Sequence, residues 1–127
     1  MTKKPSEYIS EFLNFVADSQ TKHRIYSEEV CNQDKLTQDY LHSLELDDLK
    51  CDERSKVATK LAINRKDRRY YKDRVEEFEP LVKFFEDPQH KKILNLMTKV
   101  LGDVRKAESY HKDRKYIPRV LKEKKDE

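Results

Sequence analysis

The sequence predicts an all-α protein built on a long antiparallel helical hairpin, with a third helix and a C-terminal strap, that is oligomeric. The chain has 1 glycine and 4 prolines among 127 residues, and 42% of its residues are charged, which is typical of long helices with few turns. Apolar residues recur at spacings of three and four over long stretches. Hydrophobic residues make up only 35% of the chain, which favours completion of the core by another copy.

The first helix is predicted to begin near Pro5 and to continue for about 40 residues, because 3–4 spacing runs from Ile9 to Leu44 without glycine or proline. Proline is tolerated in the first turn of a helix. The residues at this spacing form a stripe along one face of the helix, and the centre of the stripe is polar. A turn is expected over 46–50.

The second helix is predicted from about Asp52 to Glu86, and its stripe is also apolar at both ends and polar in the middle. Two helices with this shared pattern match as an antiparallel hairpin. Pro80 is expected to kink or split the second helix. The stripe consists of Val57, Leu61, Asn64, Arg68, Tyr71, Val75, Phe78, Val82 and Phe85.

The third helix is predicted from about Gln89 to Glu108, where apolar residues such as Ile93, Met97 and Leu101 share one face. Residues 109–121 are predicted to form an extended strap that packs on the helices. The domain prediction is a single helical unit over 1–121, followed by a charged and disordered tail over 122–127.

Arg68 lies in the stripe that is predicted to face the neighbouring helix, that is, in the seam between the two helices. Burial of a guanidinium there is energetically costly unless an anionic group pairs with it. Either an acid of a neighbouring helix pairs with Arg68, or the seam opens there for an anionic ligand. The surrounding run over 64–74 holds six cations, two acids and two tyrosines. Arginines of this run suit phosphate oxygens and the tyrosines can stack on bases, but the same run can be a charged surface that pairs with acids of the first helix.

The charge distribution is compatible with both interpretations. Residues 1–50 carry 6 Lys/Arg against 10 Asp/Glu, whereas residues 51–127 carry 22 against 15. An acidic first half and a basic second half attract each other within a hairpin or between copies.

Two further groups of residues are candidates for ligand binding. Arg105, Arg114 and Arg119 are interleaved with tyrosines, a pattern that suits nucleotides or a strap with snorkelling cations. Phe85 can stack on a base and Asn95 can read an adenine edge, although an interhelical hydrogen bond is the alternative role for Asn95.

Catalytic and metal-binding patterns are not found in the sequence. It has no nucleophile elbow, P-loop or glycine-rich dinucleotide turn, and its four histidines are scattered without metal spacing. No enzyme activity, cofactor or metal is therefore expected. Cys31 and Cys51 are expected to be reduced thiols of a cytoplasmic protein, and no apolar run is long enough to span a membrane.

Several segments resemble small proteins of Bacillus-type phages and their prophage relatives, and within these the phage Thoeris anti-defence sponge family. The resemblance covers most of residues 34–121 and rests on the following segments: 34–39, 41–46, 64–73, 84–88, 101–106 and 116–120. Members of that family are small helical oligomers that sequester a cyclic ADP-ribose isomer, the signalling nucleotide of the host, and some hold cyclic oligonucleotides.

The resemblance implies that this chain binds and sequesters a cyclic nucleotide second messenger without cleaving it, in the cytoplasm of an infected host cell. It also implies a pocket between subunits, lined by a phenylalanine, an asparagine and arginines. Phe85 and Asn95 are the positions that match this pattern. The arginines predicted from charge and position are Arg68, Arg69, Arg105, Arg114 and Arg119.

Two other functions stay open at this point. A helical regulator that binds nucleic acid would use the cations of 65–74, although a surplus of about seven positive charges is small for that role. A helical regulator that binds a protein partner would have its seam arginine neutralised by an acid. No membrane partner is expected.

Overall fold

The computed structural model describes residues 2–120, which form three α-helices and no strand. The helices are α1 (Pro5–Leu46), α2 (Cys51–Glu86) and α3 (Pro88–Lys112). The prediction of an all-α protein is therefore confirmed. The predicted tail over 122–127 lies outside the described residues.

The ends of α1 follow from local sequence. Pro5 occupies the first turn, where its missing N–H is not needed, and Lys4 at the N-cap supplies no side-chain cap. At the other end, the backbone N–H of Asp47 donates to the carbonyl of Ser43 at 3.1 Å, and the Ser43 hydroxyl donates to the Asp47 carboxylate at 2.9 Å. A helix of 42 residues is about 63 Å long.

The corner between α2 and α3 consists of a single residue. Asp87 has an extended conformation, and its carboxylate accepts a hydrogen bond from the backbone N–H of Gln89 at 2.9 Å. Pro88 follows as the first residue of α3, where proline is favoured. The corner is thus a conventional N-cap that also stops α2.

α1 and α2 lie side by side and run in opposite directions. Thr37 contacts Asn64, Asp34 contacts Arg68, and His23 contacts Glu79, so residue numbers fall along α1 as they rise along α2. α3 packs on the first turns of α1, where Glu108 contacts Ser6.

The core of the described residues is small. Among residues 2–120, only Val16, Phe85 and Leu101 are buried apolar side chains, and the chain exposes 10500 Å². A compact monomer of 15.3 kDa is expected to expose about 7,100 Å². The chain therefore leaves far more surface in water than a globular chain of this mass, and the exposed segment after α3 contributes to this excess together with the helices.

Two predicted features of the helices differ from the structure. Of the kink or split expected at Pro80, the split does not occur, because α2 continues through Pro80 to Glu86. α3 extends to Lys112 and not to Glu108, and the Lys112 cation in its last turn interacts favourably with the helix dipole.

The predicted strap is also not found in the described part of 109–121. Residues 109–112 belong to α3, and Tyr116, Ile117 and Val120 are 81%, 79% and 78% exposed. The contact between Glu108 and Ser6 places the end of α3 level with the start of α1. The high exposure of Tyr116, Ile117 and Val120 shows that they do not pack on the helices as a strap would.

Candidate functional site

A polar network occupies the centre of the seam between α1 and α2. Asn64 is 2% exposed, and its amide donates to the Gln33 carbonyl at 3.0 Å and to the Gln33 side chain at 2.8 Å. The Thr37 hydroxyl lies 2.6 Å from the Asn64 amide oxygen and 2.9 Å from the Gln33 carbonyl. Buried polar groups of this kind are stable only when they are hydrogen-bonded, and here each has a partner. Gln33 and Thr37 of the first stripe and Asn64 of the second therefore form one internal network.

Arg68 lies one turn further along α2 and meets an acid. Its Nε atom donates to the Asp34 carboxylate at 2.5 Å, and the Arg68 side chain is 23% exposed while that of Asp34 is 49% exposed. The anionic partner expected for Arg68 is therefore Asp34, on α1 of the same chain. Of the two alternatives for Arg68, the structure contains the ion pair.

The other cations of this run point away from the seam. Arg65, Lys66 and Arg69 are exposed, and Lys72 is half-buried. Arg74 donates to Glu77 through two nitrogen atoms and lies 4.9 Å from the centre of the Tyr70 ring. The hydrogen bonds that Arg74 donates to the Glu77 carboxylate raise the pKa of Arg74. Arg65 and Arg69 have no ion-pair partner among the described residues.

Phe85 and Asn95 occupy different environments. Phe85 is 4% exposed and meets the edge of the Phe84 ring, with ring centres 4.9 Å apart, whereas Asn95 is exposed on α3. Arg68 and Phe85 are separated by about 26 Å along α2. A single chain therefore does not bring Phe85 together with the cations that surround Arg68.

The three remaining predicted arginines lie on or beyond α3. Arg105 is exposed and lines a groove with Glu7 and Glu11 of α1, so it faces acids of its own chain. Arg114 lies 5.6 Å from the centre of the Tyr110 ring, and Arg119 is exposed in the segment after α3. No contact among the described residues joins these three arginines to one another or to the cations of α2.

The surface grooves are open and modest in size. Four of them range from about 170 to 330 Å³, and they follow the junctions between helices or a single helix face. Among the seven predicted ligand residues, Arg105 alone lines one of these four grooves. The described chain by itself does not assemble the predicted site into one of them.

Two contacts that the sequence reasoning missed join distant parts of the chain. His23 pairs with Glu79 across the seam, and this hydrogen bond lowers the pKa of the Glu79 carboxyl. Ser6 donates to Glu108 from its hydroxyl at 2.6 Å and from its backbone at 3.1 Å, and these hydrogen bonds lower the pKa of the Glu108 carboxyl. His23 was recognisable as a polar residue of the first stripe, but only the tertiary fold identifies its partner.

The described part of the chain offers no cluster for a metal ion and no helix that could span a membrane. Within residues 2–120, no cluster of three or more His, Cys, Asp or Glu side chains could hold a metal ion. None of the three helices combines the length and apolarity needed to cross a bilayer. Cys31 and Cys51 are exposed and unpaired with each other.

Comparison with known proteins gives no family for this chain. No protein-family model matches the sequence, and neither the curated proteins nor the solved structures contain a match.

Proposed function

We propose that this chain is a non-catalytic helical binding protein that works as a homo-oligomer of hairpins. The observation that carries this proposal is the exposed surface of 10500 Å², while the described residues bury only three apolar side chains. Helices with so little internal core are stabilised when copies bury their apolar faces against one another.

For the ligand, we propose a cyclic nucleotide second messenger such as a cyclic ADP-ribose isomer, sequestered without cleavage at an interface between copies. The resemblance to the sponge family supports this proposal, and so do the exposed cations Arg65 and Arg69, which lack an acidic partner among the described residues. Two phosphates need about two to four cationic contacts, each of which contributes roughly 1.5–3 kcal/mol. A second copy would have to bring further site residues to these cations.

Calorimetry with cyclic ADP-ribose isomers tests the ligand. We expect sub-micromolar binding, recovery of the ligand intact by chromatography after heat release, and loss of affinity in Arg69→Gln. Arg24→Gln is the matched control, because Arg24 is an exposed arginine on the other long helix. Recovery of an altered ligand would contradict a non-catalytic role, and an absence of binding heat would remove the nucleotide proposal.

Direct binding to a protein partner is the second candidate function. The ion pair between Arg68 and Asp34 favours it, because the seam arginine then needs no ligand. Asp34→Asn separates the two functions. If Arg68 binds an anionic ligand, removal of its carboxylate partner should strengthen nucleotide binding, whereas a protein-binding regulator should show no nucleotide binding in either form.

A further inference from the structure

One side of α1 carries four residues at intervals of seven, namely Phe15, Lys22, Glu29 and Leu36, which we call the heptad row. Residues seven apart on paired helices keep the same orientation toward the neighbouring helix. Phe15 is 51% exposed and Leu36 is 36% exposed. The row therefore presents an exposed apolar residue at each end and a cation and an anion between them.

Each apolar end of the row lies next to an apolar side chain of α2. Phe15 and Phe78 line one groove, and Leu36 and Ile63 line another, so each end combines one side chain from each helix. Ile63 is 54% exposed. The two apolar ends lie about 32 Å apart along α1.

The two charged residues at the centre of the row have no ion-pair partner within the described chain. Neither Lys22 nor Glu29 forms an ion pair with another residue of 2–120. The nearby pair between Arg24 and Glu28 is internal to α1, with both side chains 63% exposed. Lys22 and Glu29 are thus available to a partner that presents the opposite order of charges.

We propose that this partner is a second copy of the chain, bound antiparallel about a two-fold axis that passes between Lys22 and Glu29. Phe15 then faces Leu36 of the second copy, Lys22 faces Glu29 of the second copy, and each contact occurs twice. A parallel arrangement would place Lys22 against Lys22 and Glu29 against Glu29. The order of charges therefore selects the antiparallel arrangement, which makes a four-helix bundle from two hairpins.

The proposed face has exposed apolar side chains at both ends, because Phe15, Leu36 and Ile63 are 51%, 36% and 54% exposed. A stable interface buries about 800 Å² on each partner, so the proposal requires that α1 and α2 contribute to it together. This inference rests on the assembly that the proposed function invokes, and it identifies the surface and the orientation. It requires no nucleotide, so the interface and the proposed ligand can fail separately.

Light scattering and sedimentation of the full chain without nucleotide test the interface. We expect a particle of twice the chain mass of 15.3 kDa. Lys22→Glu and Glu29→Lys each place like charges together twice, so each should weaken the dimer by roughly three- to tenfold or more. The double variant restores both pairs and should recover dimer affinity. Arg24→Glu makes the same charge change on α1 outside the row and should leave dimer affinity unchanged.

Circular dichroism establishes that each variant keeps its helices. A monomeric wild-type chain, equal effects of Lys22→Glu and Arg24→Glu, or failure of the double variant to recover affinity would each overturn the interface. A dimer that behaves as expected but binds no nucleotide would support the interface and contradict the proposed ligand.

Discussion

Asn64 is the most constrained polar residue of the seam. Its amide is buried, and its hydrogen-bond partners are all on α1. An apolar residue at this position would fill the seam but would leave Thr37 and Gln33 without their shared partner. A network of this kind favours one register between the two helices, since a shift along α1 would separate Asn64 from Thr37.

Thr37→Val tests the network with little change of volume. The substitution removes the hydroxyl that lies 2.6 Å from the Asn64 amide oxygen, and it leaves that buried oxygen without a donor. We expect the free energy of unfolding, measured with urea, to fall by about 1–3 kcal/mol.

Thr59→Val is the matched control for Thr37→Val. Thr59 also donates to the carbonyl four residues earlier in its helix, but it is exposed. We expect it to change stability by less than about 0.5 kcal/mol. Equal effects of the two substitutions would mean that the loss comes from helix propensity and not from the network.

At the scale of the helices, Gly102 is a weak point within α3. It lies in the middle of the helix with no positive φ, and a Cβ atom there would meet nothing within 4 Å. Gly102→Ala should therefore raise the free energy of unfolding by about 1 kcal/mol, because alanine loses less backbone entropy. A fall in stability, or a change in oligomer mass, would show that another copy packs closely on Gly102.

The contact between Ser6 and Glu108 couples α1 to α3 and makes this junction sensitive to acid. The lowered pKa of the Glu108 carboxyl means that its ionised form favours the folded state. This contribution is fully present above the unfolded pKa of about 4.3 and is lost as pH falls through the lower folded pKa.

Glu108→Gln should therefore lower the melting temperature at neutral pH and reduce the loss of stability between about pH 5 and 3. Glu76→Gln on α2 is the control, because Glu76 is exposed and has no ion-pair partner among the described residues. Parallel melting curves for the Glu108 variant and wild type across this range would contradict the coupling.

At the scale of the whole molecule, the small core predicts that folding depends on assembly. If copies stabilise one another, the melting temperature should rise by several degrees over a hundredfold increase in protein concentration. Lys22→Glu should reduce this rise, since it weakens the proposed interface. A melting temperature independent of concentration would indicate that the hairpin and α3 are stable as a monomer.

The sequence by itself determined that the chain forms three helices and where most of them begin and end. The 3–4 spacing without glycine or proline predicted α1 nearly to its bounds, and the predicted end of the second helix at Glu86 and start of the third near Gln89 match the corner before α3. These features are local, because periodicity and caps act within a few residues. The same local reasoning placed the end of α3 four residues too early, and of the two effects expected at Pro80 the split does not occur.

Only the tertiary structure decided which side chains meet. Periodicity placed Asn64 and Arg68 in a seam, but the antiparallel register brought Gln33, Thr37 and Asp34 to them. It likewise separated Phe85 from Arg68 and joined Ser6 to Glu108, which are 102 residues apart. Such contacts depend on how helices pack against one another, and a one-dimensional pattern does not contain that relation.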